Sequence, residues 1–327
     1  MKTLVSNFSN QITEAINIGN NAKFTEPGHT IFNVLICGLG GSGIGGSIVS
    51  ELVADIATVP INVIKGYFIP AYVNENTLVI ISSYSGNTEE TVNCMELAIA
   101  KNAKIVSITS GGAVLATSKT KNYDHIIVPG GMPPRACLGY SLTQLFFILN
   151  FFGIISNHFK TQLEAAVELI NNEENNIIAE ATSIAEKLVG KIPVIYSTTN
   201  NEGIAIRFRQ QLNENAKILC WHHVIPEMNH NELVGWTEKN EALSVVIFID
   251  KDEYSRNLTR VEINKEVIKK YASHITEIFS KGNSAIEKAI YFIHLGDWIS
   301  VILGDMRGAD LMEVNVINHL KSALSKT

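Results

Sequence analysis

Residues 33–50, NVLICGLGGSGIGGSIVS, restrict the fold more than any other part of the chain. Val34, Leu35, Ile36 and Cys37 form a short apolar run suited to a strand buried on both faces, and Ile44, Ile48 and Val49 recur at helical spacing after the glycines. The order is therefore strand, glycine-rich turn, helix. Gly38, Gly40, Gly41 and Gly43 let an anion approach the N–H groups at a helix N-terminus, which makes the turn a candidate phosphate cradle. Residues 77–91, TLVIISSYSGNTEET, repeat the arrangement: a strand over 78–81, then the hydroxyls of Ser82, Ser83, Ser85 and Thr88, then Glu89 and Glu90 where a first helical turn falls. Hydroxyl and N–H donors on two such loops suit the terminal oxygens of a phosphomonoester such as a sugar phosphate.

Strand and helix patterns alternate from there. Strands are expected at 34–37, 61–64, 78–82, 104–108 and 125–128, and helices at 42–55, 88–101 and 141–152, after a leading helix within residues 1–30. That alternation argues for a parallel sheet covered by helices on both faces. Residues 160–189 read as a long helix, after which the plan repeats: strand 193–196, helix 202–214, strand 243–249, helix 259–271, strand 274–280, and closing helices at 284–303 and 311–324. A chain of 327 residues fits two domains of about 150 residues each.

Composition removes several functional classes. A net charge of −6 gives no electrostatic reason to expect nucleic acid or an anionic membrane as partner. The cysteines, Cys37, Cys94, Cys137 and Cys220, lack metal-ligand spacing and read as reduced thiols of a cytoplasmic protein. The N-terminal residues show no secretory signal, and the apolar stretch 142–155 falls short of the ~20 residues of a spanning helix.

The pair GLGGSGIGG and SYSGNTEET resembles the sugar isomerase (SIS) domain, in particular that of the bifunctional phosphoglucose/phosphomannose isomerases. The resemblance implies an α/β protein of two SIS domains, 1–155 and 156–327, each a parallel, doubly wound, flavodoxin-like sheet flanked by helices. It implies an aldose–ketose isomerase that interconverts glucose 6-phosphate and fructose 6-phosphate, and mannose 6-phosphate as well, through a cis-enediolate, with neither metal nor cofactor. Moving a carbonyl between C1 and C2 needs a proton-shuttling base, a cation for the enediolate and help with ring opening.

Carried onto this sequence, the family pattern makes Glu214 in NEN the base, His230 the ring-opening histidine sixteen residues later, Arg135 in PPRA the cation and Lys321 in HLK a second ring-opening group. Gly41, Ser42, Ser83, Ser85 and Thr88 become the phosphate ligands. His222 and His223, in the more apolar setting WHHVIP, compete with His230. In SIS isomerases the neighbouring subunit supplies the histidine, so the resemblance also implies a homodimer. One departure stands out: relatives carry a hydroxyl residue about two turns before the lysine, where this chain has Val314 and Asn315, a difference that bears on the C2 epimers accepted.

Two other classes meet specific obstacles. Gly38, Gly40 and Gly43 satisfy the dinucleotide fingerprint, but Lys65 stands at the end of the second strand where an acid should meet the ribose hydroxyls. A non-catalytic sugar-phosphate sensor would keep both loops without needing Glu214, Arg135, His230 and Lys321 together.

Overall fold

The computed structural model describes residues 1–324 and 326. Helices α1 (Lys2–Ser6) and α2 (Phe8–Asn21) replace the single leading helix, the break falling at Asn7. The alternation then runs β1 (Asn33–Cys37), α3 (Gly40–Leu52), β2 (Ile61–Ile64), β3 (Thr77–Ser82), α4 (Glu89–Ala100), β4 (Lys104–Thr109), α5 (Gly112–Thr120), β5 (Asp124–Ile127) and α6 (Leu138–Phe151). The long helix α7 (Phe159–Leu188) leads into β6 (Ile192–Thr198), α8 (Glu202–Ala216), β7 (Trp221–Ile225), β8 (Asn240–Ile249) and α9 (Ser255–Ile268). The last elements are β9 (Ala272–Phe279), α10 (Ala285–Met306) and α11 (Asn315–Leu324).

Every strand pair is parallel, in the orders β2-β1-β3-β4-β5 and β7-β6-β8-β9. Alternation along β1 decides what lies on each side: Val34 and Ile36 enter one core, Leu35 and Cys37 the other. Leu78 and Ile80 of β3 divide from Val79 and Ile81 in the same way. The first of these cores is shared by both halves. Ile195, Val246 and Phe248 of the second sheet enter it too, and α6, α7 and α10 fill the space between the sheets. The outer faces are closed separately, by Cys94, Met95 and Ala98 of α4 on one side and Val261 and Ile268 of α9 on the other.

Two elements were not foreseen. Helix α5 buries only Val114 and Ser118, too few apolar positions to show a period. Edge strand β7 begins with Trp221, His222 and His223, which are not buried, so it lacks the apolar run of an interior strand. The stretch expected to be a buried helix rather than a span is α6, which is almost wholly enclosed. The described helix that is long and apolar enough to cross a membrane is α10, but 83% of its apolar window is buried inside the fold. A capping box of Ser284 and Glu287 starts it.

The halves also meet through a polar contact. Both carboxylate oxygens of Glu51, at the end of α3, accept the Gly203 N–H at 2.9 Å in the first turn of α8. Burial pushes the Glu51 carboxyl up to about 7, with Glu202 adding to the rise while the Gly203 N–H and Lys65 oppose it. Because the folded state holds this proton more tightly than an unfolded chain, its contribution to stability is largest below the ordinary carboxyl value and is lost as pH rises through about 7. Between about pH 5 and about pH 8 the unfolding free energy should therefore fall by on the order of 2 kcal/mol on account of this group. Glu51→Gln, which keeps an acceptor for the Gly203 N–H, should flatten that decline in urea unfolding; a mutant profile parallel to wild type would refute the account.

Candidate active site

The strand order sets the location. Chain crossings leave β1 toward β2 on one side and β3 toward β4 on the other, and the crevice beyond the carboxyl ends of strands at such a divergence is where open α/β sheets hold ligands. The loops after β1 and β3 are the two glycine- and serine-rich segments.

They are packed against each other. A Cβ on Gly43 would lie 2.3 Å from the Gly38 carbonyl oxygen, and one on Gly41 would lie 2.8 Å from the Pro134 carbonyl oxygen. The Ser42 hydroxyl accepts the Tyr84 N–H at 3.0 Å, leaving its own proton to donate elsewhere. The Ser83 hydroxyl donates to Thr88 Oγ1 at 3.3 Å, and Ser85 Oγ accepts the Asn87 N–H at 3.3 Å. Thr88 stands at the N-cap of α4 without a side-chain bond to the helix, so its hydroxyl is not committed to the first-turn N–H groups. A cavity of about 10 Å³, roughly the room of one water, lies between Gly41, Ser42, Ser82, Tyr84 and Pro134.

Arg135 enters from the adjoining loop. Pro133 and Pro134 lead into a 3-10 turn, Pro134–Ala136, that buries the arginine to 4% exposure. Its guanidinium reaches into the second half of the chain: Nε donates to Asn215 Oδ1 at 2.9 Å, Nη2 to the Leu311 carbonyl at 2.6 Å, and Nη1 approaches Glu214 Oε2 at 3.4 Å. Burial pulls the guanidinium below its ordinary value while Glu214 pulls it back up. The Glu214 contact is long for a charge-assisted bond, which leaves the half-buried carboxylate only loosely held.

The structure thus brings Gly41, Ser42, Arg135 and Glu214 into one neighbourhood, with Ser83, Ser85 and Thr88 on the facing loop. It does not bring His230 or Lys321 into contact with them. His230 lies exposed in the 3-10 turn Glu227–His230 after β7, and Lys321 lies exposed on α11, a helix with no buried residue. The competing histidines are engaged locally: His222 Nε2 lies 3.5 Å from Glu202, and His223 Nδ1 accepts the Val224 N–H. Val314 is half-buried immediately before α11.

Three neighbours escaped the reading of the sequence. Tyr84 ties the second loop to the arginine loop, its hydroxyl accepting the Met132 N–H at 3.3 Å. Asn215 holds Arg135. Lys217 takes the left-handed conformation at the C-terminus of α8, φ 55° and ψ 43°, and donates to the carbonyls of Glu214 at 2.7 Å and Glu313 at 2.5 Å. Asn215 and Lys217 lie in the same NENAK segment as Glu214, and that proximity was the available signal.

Comparison with known proteins fits this architecture. A SIS domain model matches residues 32–142, and the model described as bacterial phospho-glucose isomerase C-terminal SIS domain matches residues 177–324. A bifunctional phosphoglucose/phosphomannose isomerase of Caldicellulosiruptor bescii is 37% identical, over 98% of this chain and 98% of that protein. Its namesake from Aquifex aeolicus is 35% identical over 90% of each. The solved C-terminal domain of glucosamine-fructose-6-phosphate aminotransferase from Francisella tularensis superimposes with a TM-score of 0.76 at 13% identity, over 95% of this chain and 97% of that one, which shows a shared fold. With two glycine/serine loops at the divergence of its first sheet and relatives of this identity along nearly its whole length, the chain belongs to the bifunctional phosphoglucose/phosphomannose isomerase family.

Proposed function

We propose that this chain is an aldose–ketose isomerase acting on glucose 6-phosphate, fructose 6-phosphate and mannose 6-phosphate. The observation that carries the reading is the Glu214 carboxylate held 3.4 Å from the Arg135 guanidinium, beside two loops built to take a phosphate. A sensor needs the loops alone; a base set against a fixed cation is what proton transfer next to a carbonyl demands.

In the proposed reaction the phosphate sits among Gly41, Ser42, Ser83, Ser85 and Thr88, which anchors the open-chain sugar with its first carbons toward α8. Glu214 takes the proton from C2 of the aldose, electrons move to the carbonyl oxygen, and Arg135 stabilises the resulting cis-enediolate. The hydroxyl proton on O2 passes to O1, and return of the carbon-bound proton from Glu214 to C1 leaves the carbonyl at C2 and gives the ketose. Loss of the C2 stereocentre in the enediolate is what makes the glucose and mannose epimers interconvertible through one intermediate, and Val314, near the start of α11, stands where specificity between them would be set.

Ring opening falls to His230 and Lys321. His230 is exposed and has no contact with Glu214 in its own chain, in keeping with a group supplied across a homodimer interface, and Lys321 is exposed on α11. The exposed side chains of Val316, Ile317 and Leu320 on α11, and of Leu219 and Val234 flanking the histidine loop, supply apolar surface for such an interface. The four cysteines are free thiols, in keeping with a cytoplasmic enzyme.

Glu214→Gln should lower turnover of fructose 6-phosphate by about a hundredfold or more while sparing phosphate-dependent binding. A coupled assay for glucose 6-phosphate and mannose 6-phosphate, with and without a chelator, checks this; comparable turnover in the mutant would remove Glu214 from the mechanism, and binding without wild-type turnover would establish the sensor. The subunit arrangement has its own test. Mixing inactive Glu214→Gln with inactive His230→Ala protein should restore about a quarter of wild-type activity, because one site in each mixed dimer regains both groups. A mixture that stays inactive after subunit exchange would place both groups in the same chain.

A further inference from the structure

Besides Glu214, Arg135 is held by polar groups that the reaction itself does not call for. Of its five N–H groups, three have protein partners, on Asn215, Glu214 and Leu311, and the remaining two have none among the described residues. The direction of the fork therefore depends on Asn215, which accepts from Nε, and that in turn depends on which end of the Asn215 amide faces the arginine. Guanidinium nitrogens only donate, so the amide oxygen must face it.

Ser300 on α10 fixes that choice. Its hydroxyl donates to the Asp297 carbonyl at 2.7 Å, so its proton is committed and its oxygen can only accept. Asn215 Nδ2 lies 3.0 Å from it and donates. With the amide nitrogen drawn to Ser300, Oδ1 is left to Arg135. Asn215 and Ser300 are both fully buried, so no solvent competes for either end of the amide. The main chain of Arg135 is secured from α8, the helix of Asn215: Arg207 Nη2 donates to the Arg135 carbonyl at 2.9 Å and to Asp297 Oδ2 on α10 at 2.7 Å, while Gln211 donates to Asp297 Oδ1 at 2.8 Å. Both routes end at Asp297.

We propose that Ser300 and Asn215 are positioning residues for the enediolate-stabilising arginine: the Ser300 hydroxyl orients the Asn215 amide, and the amide oxygen aims the two unpartnered N–H groups of Arg135 at the reacting oxygens. This rests on the role given to Arg135 above. Removing the Ser300 hydroxyl frees the amide to turn over, which sets a donor against Nε and displaces the guanidinium.

Steady-state kinetics on fructose 6-phosphate with the full-length protein tests this. Ser300→Ala should lower kcat by about 10- to 100-fold with KM nearly unchanged and a small change in thermal unfolding. In an Arg135→Lys background, which lacks Nε, Ser300→Ala should lower kcat no further. In an Asn215→Asp background both terminal atoms accept, so Ser300→Ala should leave kcat unchanged or raise it. Equal losses from Ser300→Ala in all three backgrounds would reduce the hydroxyl to a packing role and overturn the inference, as would no loss in the otherwise native chain. If Arg135→Lys itself left kcat unchanged, the role of Arg135 would fall, and the positioning role with it.

Discussion

One apolar layer shared by two sheets governs the rest of this structure. Inward-facing residues of both sheets and of helices that include α2, α3, α6, α7, α8 and α10 pack into a single core, so the halves cannot shift relative to each other without opening it. That rigidity is what allows a site to be assembled from parts far apart in sequence. The loops after β1 and β3 and the arginine turn come from the first half, and the end of α8 comes from the second. Arg135 crosses the join, with its side chain and its carbonyl held separately, so its position is a property of both halves at once.

The electrostatics follow from that enclosure. A guanidinium at 4% exposure would be costly to bury unpaired, and here it meets one carboxylate, one amide oxygen and one main-chain carbonyl. The neighbouring Arg207–Asp297 pair is equally enclosed and balances its own charge at 2.7 Å. Separate neutralisation of the two arginines matters: Arg207 has a full partner in Asp297, whereas Arg135 shares its carboxylate with solvent-facing space and retains capacity for a ligand. The two arginines differ in their distance to the acid, 2.7 Å for Arg207 and 3.4 Å for Arg135.

What was legible in the sequence follows the range of the forces involved. Glycine turns after apolar strands are local patterns, so both loops and nearly every strand could be read directly from residues such as Val34–Cys37 and Leu78–Ile81. Edge strand β7 was hidden because its opening residues, Trp221, His222 and His223, are left partly open to solvent and make no apolar run, and α5 because two buried side chains make no period. Glu214 and Arg135 could be named only through family resemblance, since nothing local distinguishes a glutamate near a helix end from a solvated one. The ring through Asn215, Ser300 and Asp297 was invisible for a deeper reason: Asn215 and Ser300 lie 85 residues apart in the chain and are joined only by tertiary packing.

The crowding around the glycine turn has a bearing on how proteins of this kind are recognised. The space a side chain would need at Gly41 and Gly43 is taken by the protein's own carbonyl groups, those of Pro134 and Gly38, rather than by a ligand. Selection for an intact scaffold would therefore preserve these glycines even in a descendant that had lost all chemistry. A search keyed on the glycine signature sorts chains by architecture. On the reaction proposed above, the pairing of an arginine after the double proline with a glutamate at the end of the second-half helix is the mark by which catalysts and mere binders within that architecture would part.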